Sequence, residues 1–313
     1  MKNDIICVGE ALVDFIGHEK NTSIRDTRDY HRYLGGSVTN VAMNLARLGL
    51  QPRLIATIGN DGLGDYILHR VSEINIDTTF VRREANLPTS TIFISRATDT
   101  PDFIPYRASD SQIIREQFPS EILKGVKIFH TTCFALSKNP ARATILEKAE
   151  EAYNLGCKLS IDINYSKKIW SDREEAKKTI ESYCKLNPLI KVSEDDMKRY
   201  FDKNMPHEEI FNYFHEHGAK VVCLTLGANG VKLSEAQKNT IVLPAEQINE
   251  VMDATGAGDA FWSGFLYSYV IEKPLQSCLE IALKLAALKL QHVGRLPNNI
   301  NVISQLFNSQ SKY

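Results

Sequence analysis

Short apolar runs alternate with helix-like patterns along most of the chain, and this alternation restricts the possible folds more than any other feature. The run at residues 5–8 ends at Gly9, as a buried strand would, and apolar residues at helical spacing follow at 38–48. The further strand-like runs are 53–58, 126–131, 158–163, 189–192 and 221–226. The further helix-like segments are 63–74, 140–155, 208–217, 256–270 and 275–292. Strands that alternate with helices form a largely parallel sheet with helices on both faces, so the sequence predicts an α/β fold.

The region from residue 77 to residue 107 breaks this rhythm. It contains strand-like runs with alternating faces, such as 89–97, and prolines interrupt it repeatedly. Together with the polar stretch at 17–34, this pattern predicts a small antiparallel appendage over one edge of the main sheet. No internal repeat or low-complexity linker divides the chain. We therefore expect a single domain over residues 1–313, with lid segments inserted at about 10–34 and 77–107.

Composition narrows the possible partners and the compartment. Lysine plus arginine total 37 and aspartate plus glutamate total 38, so the formal net charge is -1, which gives no reason to expect nucleic acid or a membrane surface as a partner. No stretch approaches the roughly 20 apolar residues that span a bilayer, and the apolar run at the start is too short for a signal peptide. The six cysteines are scattered without a CxxC pair. Buried thiols in a reducing compartment are therefore expected, and with them a cytoplasmic protein.

The segment 253–261, which reads DATGAGDAF, is the most informative motif. Gly256 and Gly258 lead directly into an apolar helix, whose free N-terminal amides attract an anion. Asp259 lies in the first turn of that helix, where a carboxylate repels phosphate unless it has a task, such as accepting a proton from an attacking hydroxyl. The alternative is that Asp259 only caps the helix and complements its dipole. Spacing alone leaves both interpretations open.

Two further glycine clusters are candidate ligand sites. The segment 35–40, GGSVTN, opens the first helix, and its paired glycines let the backbone pass close to a ligand while Asn40 can bond to hydroxyl groups. An ordinary loop with a polar helix cap is the alternative. The segment 225–230, TLGANG, follows the most apolar strand, and ligands of open α/β sheets bind at the carboxyl ends of strands. A tight turn between two strands, with Gly230 at positive φ, explains it equally well.

These three clusters, in this order, resemble the PfkB carbohydrate kinases, which are also called the ribokinase family. The resemblance runs from about residue 5 to residue 298, and DATGAGDAF matches the C-terminal signature of the family. The segment 9–15, GEALVDF, is similar to the start of fructokinases and indicates the fructokinase-like branch. The resemblance implies a ribokinase-like three-layer sandwich with a largely parallel central sheet and a small antiparallel β-lid.

The resemblance also implies a role for each motif residue. Asp259 matches the base that deprotonates the sugar hydroxyl attacking the γ-phosphate of ATP, and the backbone amides of Gly256, Ala257 and Gly258 match the anion hole. The positions implied to contact the sugar are Asp14, Gly35, Gly36, Asn40 and Arg107. The positions implied to contact the nucleotide and its phosphates are Asn164, Thr225, Gly227 and Gly230. The lid is implied to close on the sugar and exclude water, which would otherwise hydrolyse ATP.

The implied cofactors are ATP and Mg²⁺, with K⁺ as the candidate ion for a monovalent cation site supported by Asp253 and Thr255. Two positions depart from the pattern of the family. In the segment 193–196, Ser replaces the usual Asn and Asp196 replaces Glu, so Asp196 is the remaining candidate for the magnesium shell. Ser166 stands where fructokinase-like relatives often carry Arg, and the neighbouring Lys167 offers only a flexible ammonium in place of a planar guanidinium.

The sequence leaves several substrates open. Fructose or a similar ketohexose, phosphorylated at a primary hydroxyl, ranks first because of the opening segment. The second candidate is 2-keto-3-deoxygluconate, whose carboxylate Arg107 could pair with, and ribose or a nucleoside ranks third. A non-catalytic sugar sensor on the same fold is the alternative from another class, which the presence of Asp259 and both glycines disfavours. Because lids of this type often pair in the family, a homodimer through the lid is the candidate assembly.

Overall fold

Strands and helices alternate along the computed structural model, which describes residues 4–74, 76–96, 102–294, 296 and 301–307. The strands are β1 (Ile5–Val8), β2 (Leu12–Lys20), β3 (Tyr30–Gly35), β4 (Arg53–Gly59), β5 (Asp77–Glu84), β6 (Thr91–Arg96), β7 (Phe103–Tyr106), β8 (Ile128–Thr132), β9 (Lys158–Asp162), β10 (Leu189–Ser193), β11 (Val221–Thr225), β12 (Val231–Glu235) and β13 (Ile241–Leu243). The helices are α1 (Ser37–Arg47), α2 (Gly62–Ser72), α3 (Ala141–Asn154), α4 (Arg173–Cys184), α5 (Glu194–Phe201), α6 (His207–Glu216), α7 (Ala257–Val270), α8 (Leu275–Leu290) and α9 (Val302–Phe307). The predicted α/β class is confirmed.

The large sheet has the strand order β13-β12-β11-β10-β9-β8-β1-β4-β5. From β11 to β5 every neighbouring pair is parallel, whereas β12 and β13 close the other edge as antiparallel strands. The carboxyl ends of the parallel strands therefore meet along one edge of the sheet. Ligands of open α/β sheets bind at this edge.

The sheet is covered on both faces, as β1 illustrates. Ile6 and Val8 pack into one hydrophobic core with α3, α4 and α6, whereas Ile5 and Cys7 pack into a second core with α1, α2, α7 and α8. Successive side chains of a strand point to opposite faces, so a strand buried on both sides is apolar throughout. The result is the three-layer sandwich that the sequence predicts. None of the helices in the described ranges has the length and apolar character needed to cross a bilayer.

A second, small sheet forms the lid and has the order β3-β2-β6-β7. Its outer pairs, β2 with β3 and β6 with β7, are antiparallel, while its central pair, β2 with β6, is parallel. The chain enters this sheet directly from β1 through residues 9–11. The first lid strand thus begins beside the carboxyl edge of the large sheet.

The predicted lid boundary at residue 77 is wrong. Strand β5 (Asp77–Glu84) pairs in parallel with β4 and forms the outer edge of the large sheet. Its alternating pattern resembles a lid strand because an edge strand is only partly covered. Phe80 packs against one core of the sandwich and Val81 against the other. The second lid segment therefore begins with β6 at Thr91.

Candidate active site

A cavity of about 610 Å³ lies between the lid and the carboxyl edge of the large sheet. It collects residues from separate parts of the chain, including the lid strands and the first turns of α1 and α7. The residues of the sequence prediction that line it are Asp14, Gly36, Asn40, Asn164, Asp196, Thr255, Gly256 and Asp259. The structure therefore brings the core of the predicted site into one cavity.

The Asp259 carboxylate is held by two side chains from the first turn of α1. Ser37 donates its hydroxyl hydrogen to Oδ1 at 2.6 Å, and the amide nitrogen of Asn40 donates to Oδ2 at 2.8 Å. Two neutral donors orient the carboxylate towards the cavity without neutralising its charge. The family resemblance implies a sugar contact for Asn40, and no sequence motif points to Ser37. The signal for Ser37 is its place three residues before Asn40, on the same helix face.

Close backbone approach explains the glycine pair that precedes α1. Gly36 is the N-cap residue of α1 and has φ 96°, and a Cβ there would overlap the backbone carbonyl of Glu10. A Cβ at Gly35 would overlap the Asp14 carboxylate. Glu10 in turn accepts hydrogen bonds from the Ser37 amide at 2.9 Å and from the Thr132 hydroxyl at 2.9 Å. These contacts fix the start of α1 against the crossover from β1 to β2.

Helix α7 points its N-terminus at the cavity. Gly256 is its N-cap residue and has φ 75°. The Ala257 amide donates to the Ala254 carbonyl at 3.2 Å, while the amides of Gly258 and Asp259 lie in the first turn, where a helix offers no internal acceptor. This end of the helix carries a partial positive charge that favours an anion. Of the predicted anion hole, Gly256 lines the cavity, whereas Ala257 and Gly258 are not among the lining residues.

A buried ammonium lies behind the first turn of α7. Lys191 on β10 has its Nζ 3.0 Å from Oδ2 of Asp162, and a Cβ at Gly258 would lie 2.9 Å from this Nζ. Burial alone lowers the pKa of Lys191, but the carboxylates of Asp162, Asp196 and Asp259 outweigh it and raise that pKa. Lys191 therefore carries its charge next to the helix N-terminus. Lys191 is not among the predicted site residues, although a lysine inside the apolar run LIKVS is an unusual feature.

The lid side of the cavity is acidic. Burial, and then the negative charges of Asp259, Glu10 and Asp253, raise the pKa of Asp14 to about 8. Burial likewise raises the pKa of Glu10 to about 7. Closely spaced buried carboxyl groups resist ionising together. Such a wall suits a ligand that presents hydroxyl groups rather than negative charge.

The residues predicted to hold magnesium and phosphate, Asp196 and Asn164, line the same cavity. Asp196 accepts a hydrogen bond from the Ser193 hydroxyl at 2.5 Å and another from Nη2 of Arg199 at 2.6 Å. Asn164 accepts one from the Phe134 amide at 3.0 Å. Arg199, which the sequence analysis misses, also lines the cavity and brings a guanidinium from α5. One carboxylate at the wall fits Mg²⁺, which keeps several waters and takes its other ligands from substrate phosphates.

Several predicted site residues do not line this cavity. Arg107 is 3% exposed in its side chain, forms an ion pair with Asp110 at 2.6 Å, donates to Ser137 and stacks on the Phe134 ring. Thr225, Gly227 and Gly230 form the tight turn between β11 and β12, as one interpretation of TLGANG predicts, and Gly230 has φ 89°.

Two predicted residues have partners that affect their assigned roles. Lys167 forms an exposed ion pair with Asp202 at 2.6 Å. Asp253 lies behind the cavity and accepts hydrogen bonds from the amides of Thr255, at 3.0 Å, and Gly294, at 2.8 Å.

Comparisons with known proteins show which family the chain resembles. Residues 2–300 match the family described as pfkB family carbohydrate kinase. An ATP-dependent 6-phosphofructokinase from Thermoanaerobacterium thermosaccharolyticum is 33% identical over 313 residues, which cover 98% of this chain and 94% of that protein. A sugar kinase from Pyrococcus horikoshii in complex with ATP has a TM-score of 0.81 at 27% identity and covers 93% of both chains. The fructokinase of Halothermothrix orenii has a TM-score of 0.79 at 32% identity, covering 90% of this chain and 96% of that one.

The match to the family spans both motifs that frame the cavity, GGSVTN and DATGAGDAF. The fructokinase similarity agrees with the opening segment GEALVDF. The chain therefore belongs to the pfkB family of carbohydrate kinases, in its fructokinase-like branch, and is an ATP-dependent carbohydrate kinase.

Proposed function

We propose that this kinase transfers the γ-phosphoryl group of ATP to a primary hydroxyl of fructose or a similar ketohexose. The observation that carries this proposal is the arrangement of Asp259. Its carboxylate faces the cavity, is oriented by Ser37 and Asn40, and lies in the first turn of a helix whose free amides attract phosphate. A base and an anion site thus share one end of the cavity.

In the proposed reaction Asp259 accepts the proton of the attacking hydroxyl. A primary hydroxyl is the least hindered acceptor and reaches the carboxylate most easily. The amides at the start of α7 and the buried ammonium of Lys191 stabilise the charge that develops on the transferred phosphoryl group. Since these donors are fixed in advance by the fold, they need no reorganisation during transfer.

The lid supplies the apolar side of the cavity. Its contributions are Leu12, Ile92, Ile94 and Phe103, and Phe134 adds a ring from the body of the protein. Apolar walls exclude water, which would otherwise compete with the sugar for the γ-phosphate. Asp14 is the polar group among them and is placed to accept hydrogen bonds from sugar hydroxyls.

Magnesium and the nucleotide complete the proposed site. Mg²⁺, when bound with ATP, offsets the charge of the phosphates, and Asp196 is the side chain that would hold it.

For the adenine we propose the groove of about 260 Å³ between residues 246–248 and α8, whose lining includes Ile248 and Leu288. The turn 225–230 supports this placement, because Gly230 packs on the backbone that leads into residues 246–248.

The structure favours a neutral sugar over 2-keto-3-deoxygluconate. Recognition of the keto-acid would depend on Arg107, whose guanidinium is buried and already paired with Asp110.

Fructose 6-phosphate is a second candidate for a different reason. The relative from T. thermosaccharolyticum is a 6-phosphofructokinase, and Lys167, Lys168 and Arg199 line the cavity, although each has a carboxylate partner.

A substrate panel tests the proposal. ADP release with ATP and Mg²⁺ is measured in parallel against fructose, fructose 6-phosphate, 2-keto-3-deoxygluconate, ribose and adenosine. We expect the highest kcat/KM with fructose, because the acidic cavity wall disfavours an anionic substrate. A higher kcat/KM with fructose 6-phosphate would identify that phosphate ester, and not fructose, as the preferred substrate. Absence of turnover with every compound would favour the sugar-sensing role.

We further propose that the kinase forms a homodimer through the outer face of its lid. Phe93 is the centre of an aromatic cluster on this face and contacts the rings of Phe15, Tyr30 and Tyr106. Tyr106 is 60% exposed and Ile104 is 40% exposed, which is unusual for large apolar side chains. Light scattering after gel filtration should give a dimer mass that Tyr106→Asp lowers to the monomer. A monomeric wild-type protein would contradict this proposal.

A cytoplasmic location is the remaining proposal. All six cysteines are free and buried in the structure, and unpaired thiols are typical of reducing compartments. Fractionation of the cells that produce the protein is the direct check, and recovery in a secreted fraction would contradict it.

A further inference from the structure

A second buried lysine lies directly behind the anion site. Lys289 is in the last turn of α8, and its side chain is only 4% exposed. Its Nζ donates to the carbonyl oxygen of His292 at 3.0 Å and to that of Asp253 at 3.4 Å, and it lies 3.9 Å from Oδ2 of Asp253. Each of these partners is an acceptor. A ring of backbone carbonyl and carboxylate oxygens is also the environment that a bound alkali cation requires.

This ammonium connects the segments that shape the start of α7. Asp253 accepts hydrogen bonds from the amides of Thr255 and Gly294, so its carboxylate joins the segment before α7 to the loop after α8. The Lys289 stem reaches the N-cap of α7, since a Cβ at Gly256 would lie 3.7 Å from its Cε. Lys289 therefore holds its charge beside the turn that carries the anion-binding amides.

The residues at this place do not fit a free monovalent cation. A free ion would have to bind the oxygens of Asp253, and Oδ2 of this residue already lies 3.9 Å from the Lys289 ammonium. Two cations that share one buried carboxylate repel each other strongly. The surroundings of Nζ instead match an ammonium, which only donates: it makes two hydrogen bonds to carbonyl oxygens and one ion pair with a carboxylate.

We propose that Lys289 is a built-in cation: its ammonium occupies the position that a monovalent ion would take beside Asp253, and it positions the N-terminus of α7 without a free ion. The kinase should consequently reach its full rate without K⁺. Lys289 is a positioning residue, because it acts on the reacting phosphate through the backbone of residues 253–256. This inference rests on the proposed kinase reaction for its rate measurements but not for its stability measurements.

An ion series on the wild-type protein is the first test. Sugar-dependent turnover and the melting temperature are measured in KCl, NaCl and choline chloride at equal ionic strength. We expect the melting temperature to be the same in the three salts and the rates to agree within about twofold. A protein that binds no K⁺ is not stabilised when K⁺ is added. A K⁺-specific rise in either the rate or the melting temperature would overturn the proposal.

The variant Lys289→Met supplies the second test, since methionine keeps an unbranched side chain without the charge. In choline chloride its kcat should fall at least about tenfold, because the anion site loses part of its preorganised positive field. Addition of K⁺ or NH₄⁺ should restore part of the loss and raise the melting temperature of the variant. An unchanged kcat in choline chloride would show that the ammonium has no part in the reaction.

A matched control separates this effect from the general cost of removing a buried lysine. Lys148 is 2% exposed, lies on α3 away from the cavity, and bonds to Ser120 and Glu151. Lys148→Met should lower the melting temperature equally in all salts and leave kcat unchanged.

If Lys289→Met fails to fold, the wild-type ion series still decides the proposal. If no sugar is turned over in any salt, the kinase assignment fails, and the melting temperatures in K⁺ and choline test the built-in cation by themselves.

Discussion

Replacing Asp259 with asparagine should lower kcat about 1000-fold while leaving the fold and ATP binding intact, in line with the contribution of a positioned general base. Asparagine keeps the shape of the side chain, and its oxygen still accepts a hydrogen bond from one of the two α1 donors, while its NH2 group can donate to the Ser37 or Asn40 oxygen. It cannot take the proton from the attacking hydroxyl. The loss should therefore appear in kcat with every sugar, since the step removed is common to all of them.

Asp172→Asn is the matched control for this experiment. Asp172 caps α4 through bonds to the amides of Glu174 and Glu175 and lies away from the cavity. If Asp259 only caps α7 and complements its dipole, the two variants should behave alike. An Asp259→Asn protein that retains more than about half of the wild-type kcat would remove the base from the mechanism, because a positioned base contributes at least about 100-fold.

Asp14→Asn should weaken the enzyme towards its sugar and stabilise the fold at high pH. With a pKa of about 8, Asp14 is mostly protonated at neutral pH. A hydrogen bond between neutral groups contributes about 0.5–1.5 kcal/mol, so kcat/KM should fall about twofold to about tenfold. The same carboxylate opposes folding, because it is buried beside Asp259, Glu10 and Asp253. Function and stability thus make opposite demands at this residue.

The sign of the pH dependence follows from the direction of the shift. The pKa of Asp14 is about 8 in the folded protein and close to 4 in an unfolded chain. Between these values the folded state keeps a proton that the unfolded state releases, so the free energy of unfolding decreases as the pH rises through this window. Each unit of difference corresponds to about 1.4 kcal/mol. Asparagine does not ionise and is free of this loss.

The melting temperature of Asp14→Asn relative to wild type should therefore increase from pH 5 to pH 8.5, by at least about 4 °C. Asp61→Asn is the control, because the pKa of Asp61 is lowered in the folded protein whereas that of Asp14 is raised. Burial raises the pKa of Asp61, but hydrogen bonds from Thr89, Gly64 and Leu63 outweigh it and lower that pKa. Its carboxylate is ionised in both states throughout this range, so Asp61→Asn should cost the same stability at every pH. An equally flat difference for Asp14→Asn would mean that Asp14 ionises normally.

The central part of the fold could be predicted because burial on both faces leaves a clear pattern. Strand β11 (Val221–Thr225) is apolar throughout, and this pattern is typical of a strand covered on both sides. Strand β5 could not be assigned in the same way, because an edge strand shows partial exposure whichever sheet it joins. Helix α4 begins with Arg173 and adjacent charged residues, and its few core contacts, such as Ala176 and Ile180, only become visible in the tertiary structure.

The candidate site could be predicted where function requires a special backbone. Gly36 and Gly256 stand out in the sequence because both have positive φ, which favours glycine, and at Gly36 close packing against the Glu10 carbonyl adds to this restriction. Side chains that converge from other elements leave no local pattern. The roles of Ser37, Lys191 and Lys289 can be recognised only from their contacts in the folded structure. These contacts are with Asp259, Asp162 and Asp253, respectively.

Arg107 illustrates the opposite failure. Its position after the lid predicts a contact with substrate, but the fold buries it against Asp110 and the Phe134 ring. A guanidinium does line the cavity, and it comes from Arg199 on α5. No motif points to Arg199, because its place in the cavity wall depends on how α5 packs.

The most direct test of the account is to identify the product of wild-type protein with ATP, Mg²⁺ and fructose by phosphorus NMR. Transfer to a primary hydroxyl predicts a new phosphate monoester signal, split by the protons of the adjacent CH₂ group, that grows in equal amount with ADP. Inorganic phosphate as the only new signal besides those of ADP would contradict the proposed transfer, because Asp259 would then be activating water rather than a sugar. An ester signal without CH₂ coupling would place the phosphate on a secondary hydroxyl and contradict the assigned acceptor.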